Sequence, residues 1–117
     1  MGQYFKLINH TKREQITAWG LGGVAKFLEW LFNNQARVLV WLLRQSNDGG
    51  GGDITQVDGY ESYETLGRWA GDRISLIGDY DESDLWKKTE NWDNIAEQVQ
   101  HEYNDAVDKC SGTEFRL

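Results

Sequence analysis

The sequence predicts an α+β domain, a small antiparallel sheet packed on one face by helices, with a long amphipathic helix at its C-terminal end. Three observations carry that prediction. Residues 3–9 (QYFKLIN) alternate apolar and polar with the period of two of a half-buried strand. Residues 92–110 place Trp92, Ile95, Ala96, Val99, Tyr103, Ala106, Val107 and Cys110 on one helical stripe. The 117 residues show no internal repeat and fall within the size of a single core. Residues 1–110 are therefore read as one domain and 111–117 as a frayed tail.

The elements follow in order. After the first strand, HTKRE is turn-like, and Gln15 to Trp19 reads as a short return strand. Gly20, Gly22 and Gly23 break the chain before a helix whose Val24, Phe27, Leu28, Leu31 and Phe32 form one apolar stripe, ended by Asn33-Asn34. Residues 36–45 are apolar almost all round, so periodicity does not separate helix from strand; Leu and Arg content favours helix. The glycine-rich stretch 46–59 reads as a mobile connection, because ordering four consecutive glycines is entropically expensive. Residues 63–70 and 73–80 read as two strands of a hairpin turning at Gly71-Asp72. Asp81 or Ser83 can cap a short helical turn near Leu85-Trp86 before the last helix.

Composition narrows the class of function. Residues 1–46 hold six Lys/Arg against two Asp/Glu, a net of +4, whereas residues 47–117 hold six against seventeen, a net of −11. Such a balance argues against general nucleic-acid binding, which needs a basic face to neutralise phosphates. It leaves a solvated acidic face, an interaction surface, or an acidic mimic of nucleic acid. The longest apolar run, Val38 to Leu43, is far short of a bilayer span, and MGQYFKLINH lacks the pattern of a signal peptide, so a cytoplasmic protein is expected. The lone Cys110 excludes an intramolecular disulfide, fits a reducing compartment and reads as an inert core thiol.

Candidate sites are sparse. Asp72 and Arg73 lie at one end of the second hairpin strand and Asp79 and Asp81 at the other. With the neighbouring Trp69, they are the candidates for a polar-ligand site, and Asp79, Asp81 and Asp84 offer oxygen ligands suited to a divalent cation. The competing reading gives Asp72 to a turn and Asp81 and Asp84 to a helix start. The Gly49–Gly52 run lacks the Lys-Ser/Thr and the strand–helix context of a phosphate loop. His101, with Glu97 and Asp105 one turn away on either side, and His10 read as solvated rather than as metal ligands, and no cofactor is expected. Of six tryptophans, Trp30 falls off the apolar stripe beside Glu29. With Phe27 it is a candidate interface residue, since Trp is enriched at interfaces.

The opening MGQYF, the GLGGVAKFLEW segment, the SNDGGGGD loop and above all GRWAGDRISLIGDY resemble a set of small hypothetical proteins from bacteria, phages and mobile DNA. The resemblance covers most of residues 1–81 and implies a bacterial, accessory-genome origin; the set carries no activity, cofactor or catalytic residue to transfer. With no catalytic constellation, an aromatic surplus and a two-signed charge, the favoured expectation is a non-enzymatic interaction protein that self-associates, with a protein partner as a further option. The alternative is a small enzyme or ligand- or metal-binding domain using Asp72, Arg73, Asp79 and Asp81.

Overall fold

A computed structural model describes residues 2–46, 53–110 and 115–117. Four strands, β1 (Phe5–Asn9), β2 (Glu14–Thr17), β3 (Ile74–Gly78) and β4 (Asp93–Asn94), form one sheet in the order β3-β1-β2-β4. The helices are α1 (Phe27–Phe32), α2 (Arg37–Leu43), α3 (Leu85–Lys88) and α4 (Ala96–Cys110). Short 3-10 turns occur at Trp19–Leu21, Asn34–Ala36, Ile54–Gln56 and Tyr60–Ser62. The α+β class, the sheet and the long C-terminal helix are as the sequence predicts. The sheet is mixed, because two-residue β4 runs parallel to β2 while the other pairs are antiparallel.

Register assigns the faces. Leu7 opposes Ile16 on one side and Leu76 on the other, so Phe5, Leu7, Ile16, Ile74 and Leu76 share one face. That face meets α1, α2 and α4 in a core that includes Trp30, Val38, Trp41, Leu42, Trp69, Val99 and Tyr103. Lys6, Ile8, Gln15, Ser75 and Ile77 lie on the opposite face, which the segment around α3 covers. There Lys6 Nζ donates to Trp86 O at 3.2 Å, and Gln15 Nε2 donates to Glu90 O and Trp92 O at 3.1 and 2.8 Å. The sheet is thus covered by three helices on one face and by a short strap on the other.

Residues 63–70 are a turn-rich loop rather than a strand, and β3 pairs with β1 instead. The loop closes the end of α2, where Gly67 N and Trp69 N donate to Trp41 O and Leu42 O, each at 2.9 Å. Helix ends leave carbonyls unsatisfied, and this segment supplies the missing donors. Gly67 holds φ +69°, and a Cβ there would sit 2.5 Å from Arg44 O, so the close approach of the two backbones requires glycine.

The α1 stripe is inverted relative to expectation. Val24, Phe27, Leu28, Leu31 and Phe32 face out, and Trp30 is buried with its Nε1 donating to Phe5 O at 3.0 Å. With six residues, α1 has less than two turns, so its orientation is set by the one side chain that gains most from burial. Helix α4 begins at Ala96, whose N–H donates to Asn94 Oδ1 at 3.1 Å, and its buried face carries Val99, Tyr103 and Ala106. Cys110 is exposed, not on the core side, in a last turn whose Asp108 and Lys109 are exposed as well.

The glycine run 49–52 and residues 111–114 of the tail lie outside the described residues. On either side of the glycine run, Arg44 and Asp53 form an ion pair that includes an Nε–Oδ1 hydrogen bond of 2.7 Å. The guanidinium and the Ile54 N–H hold the Asp53 carboxyl down at about 2. Residues 115–117 lie against α4, with Tyr103 OH donating to Phe115 O and Leu117 N to Asn104 Oδ1.

Candidate functional site

The polar residues singled out by sequence fall into two groups at opposite ends of β3. At one end the β1–β2 turn and the 67–73 loop interlock. Asn9 Nδ2 and Lys12 Nζ both donate to Asp72 Oδ2, at 2.8 and 2.5 Å, and Arg73 N donates to Thr11 Oγ1 at 3.1 Å. Those two donors hold the Asp72 carboxyl below its ordinary range. Beneath them, Glu14 accepts from Arg68 Nε and Nη2 and from Trp69 Nε1, the last at 2.8 Å. Burial pushes the Glu14 carboxyl up, but those hydrogen bonds and the Arg68 charge outweigh it and keep it below the usual range. Trp69 is fully buried, so it serves the core rather than a ligand.

At the other end, Asp79 Oδ1 accepts from Tyr4 N at 2.9 Å, and Asp81 accepts from the backbone and hydroxyl of Ser83. About 17 Å of strand separates this end from Asp72 and Arg73. The four residues therefore do not converge on one pocket, and Asp72, Asp79 and Asp81 each hold local backbone or side-chain geometry. The exception is Arg73, whose exposed guanidinium has no partner among the described residues.

The histidines are similarly committed. His10 Nε2 and Ser75 Oγ are 2.9 Å apart, with the imidazole edge-on to Trp92. A Ser–His contact is half of a nucleophilic pair, but among the described residues nothing orients Nδ1. His101 lines a polar groove of about 370 Å³ with Glu97, Asp105 and Asp108. Asp105 there accepts from Tyr63 OH and Lys109, which lowers its carboxyl; burial, and after it the bond to Asp105, raise the Tyr63 hydroxyl. Among the described residues no group of three His, Cys, Asp or Glu can hold a metal ion. Lys6 was not singled out by sequence. It is buried with its ammonium on Gln15 Oε1 at 2.9 Å and 4.7 Å above the Trp86 ring. Burial lowers its pKa, partly offset by Glu90.

The apolar surface of α1 and α2 is the outstanding feature. Phe27 is 49% exposed, Leu31 58%, Leu28 61%, Val40 75% and Phe32 77%, while Trp30 between them is 4% exposed. Phe27 and Leu31 on one side and Ala36 and Leu39 on the other flank an apolar groove of about 180 Å³, with Leu7, Trp30 and Leu76 at its base. Of the two expected interface residues, Phe27 is therefore at the surface, whereas Trp30 is a core residue. The exposed tryptophan is Trp19, tilted against Tyr4 at 5.8 Å. The sequence points to Phe27 at this surface but not to Leu28, Leu31 and Phe32, because the stripe that usually marks a core face here marks an outer one. No helix among the described residues is long and apolar enough to cross a membrane. No family model, curated protein or solved structure matches the chain.

Proposed function

We propose that the protein is a non-enzymatic interaction protein that self-associates through the apolar face of α1 and α2. The exposure of that face carries the reading. The exposed fractions of Val24, Phe27, Leu28, Leu31, Phe32, Val40 and Leu43 amount to about four whole residues, on the order of 700 Å² at roughly 150–200 Å² each. A typical monomer's largest apolar patch is about 300–600 Å², and a standard interface buries about 800 Å² per partner. The area thus belongs with interfaces. The resemblance to small proteins of bacteria, phages and mobile DNA extends the proposal to a cytoplasmic protein of the accessory genome.

Native mass spectrometry across a concentration series tests it. A dimer or higher closed assembly is expected, shifted towards monomer by Leu28→Asp, which adds a charge to an exposed position without touching the core. A protein that stays monomeric at high micromolar concentration overturns the proposal.

A further inference from the structure

The pairing of β3 with β1 leaves an open edge. His10 N donates to Arg73 O and Asp79 N donates to Tyr4 O, at 2.9 Å each, so the odd-numbered residues of β3 exchange hydrogen bonds with β1. The N–H and C=O groups of Ile74 and Leu76 therefore point away from β1, and among the described residues they have no partner. The edge, ISLIG, has no charge, no proline and no bulge, the devices that ordinarily protect a sheet edge from pairing. Leu76 also forms part of the base of the apolar groove between α1 and α2, so the open edge and the apolar face are continuous.

We propose that two copies of the chain pair β3 with β3 about a two-fold axis at Leu76, joining the two sheets into one. This rests on the self-association reading and specifies its geometry. An antiparallel pairing centred on Leu76 sets each Leu76 opposite the same residue of the second copy and each Ile74 opposite Gly78. The same register brings Arg73 opposite Asp79 of the second copy, twice per dimer. Both lie on the odd-numbered face, at positions where facing side chains come closest. Among the described residues Arg73 has no side-chain partner, and Asp79 accepts only through Oδ1. The arrangement gives the otherwise unpartnered cation an acidic neighbour and satisfies the orphaned backbone groups in one step.

Amide hydrogen exchange by NMR on the full chain, at concentrations below and above the dimer midpoint found by native mass spectrometry, decides the matter. Ser75 and Ile77 bond to β1 and should be protected at both concentrations. Ile74 and Leu76 should exchange quickly in the monomer and slow by about tenfold or more in the dimer. A dimer in which these two amides still exchange quickly overturns the edge pairing and leaves self-association standing. Protection independent of concentration also overturns it, because the edge would then be covered within one chain. A protein that never dimerises removes both proposals. The charge register has its own readout. Arg73→Glu places like charges opposite each other twice and should raise the dimer Kd about tenfold. An unchanged Kd refutes the Leu76-centred register.

Discussion

Replacing Trp30 and Phe32 separately tests the orientation of α1, on which the interaction surface depends. Trp30 is almost wholly enclosed and bonds Phe5 O, whereas Phe32, two residues on, is mostly in solvent. Burying roughly 200 Å² of indole at about 25 cal/mol per Å² is worth about 5 kcal/mol. Partial collapse of the site returns some of that, and the orphaned Phe5 carbonyl adds about 1 kcal/mol, so Trp30→Ala should destabilise by about 3–5 kcal/mol. Against a total of about 5–15 kcal/mol for a domain, that brings the protein close to unfolding at 37 °C. Phe32→Ser should change monomer stability by less than about 0.5 kcal/mol. Urea denaturation followed by far-UV circular dichroism, at concentrations low enough to keep the protein monomeric, measures both. If Phe32→Ser costs more than Trp30→Ala, α1 seats the opposite face and the apolar surface does not exist as described.

Two further substitutions probe the interlocked end of the sheet. Glu14→Gln puts an amide where Arg68 and Trp69 both donate, and should cost about 2 kcal/mol by thermal unfolding, since Arg68 retains contact with water. The depressed folded pKa of Glu14 means that its contribution is complete above the ordinary value of 4.5 and is lost as pH falls through the lower folded value. The gap between wild type and Glu14→Gln should accordingly narrow below pH 4.5, and a gap that widens there contradicts the assigned ion pair. Gly67→Ala combines a left-handed φ with a clash against Arg44 O and should cost about 2–4 kcal/mol in the same assay. A neutral outcome would show that the 67–69 loop does not lie against the end of α2.

What could be read in the sequence follows from how local its determinants are. The alternation of 3–9 and the stripe of α4 reflect one partner surface each, and both elements are present, although α4 begins at Ala96 rather than near Trp92, with Asp93–Asn94 in β4, and leaves Cys110 exposed. The hairpin expected over 63–80 depended on which strand β3 would find, and β1 competes for it with a full five-residue register. Residues 63–70 carry apolar side chains because Tyr63 and Trp69 enter the core and Leu66 packs against it from a loop, and burial from a loop leaves no period to detect. In α1 the stripe was visible but its direction was not, since a helix of less than two turns can bury either one large indole or four smaller side chains. For the candidate site, the residues Asp72, Arg73, Asp79 and Asp81 were rightly placed at strand ends. Their separation by the length of β3 requires knowing that the strand is straight and singly paired.

The most distinctive stretch of the sequence, GRWAGDRISLIGDY, is accounted for almost entirely by packing. Gly67 permits the approach to α2, Arg68 and Trp69 meet Glu14, Gly71 turns with φ +79°, Asp72 ties the β1–β2 turn, and Asp79 fixes Tyr4. The side chains of Arg68, Asp72, Ser75 and Asp79 each have an internal partner, whereas those of Arg73 and the exposed Tyr80 have none among the described residues. Among the described residues, Leu28, Phe32 and Val40 are mostly exposed, the outer backbone groups of Ile74 and Leu76 have no partner, and the guanidinium of Arg73 is unpaired. Selection for the fold alone would favour polar residues at Leu28, Phe32 and Val40, since apolar side chains there add no stability to the monomer and raise the risk of non-specific association. Their presence on helices whose shared groove has Leu76 of the edge strand at its base is the argument on which the proposed self-association rests.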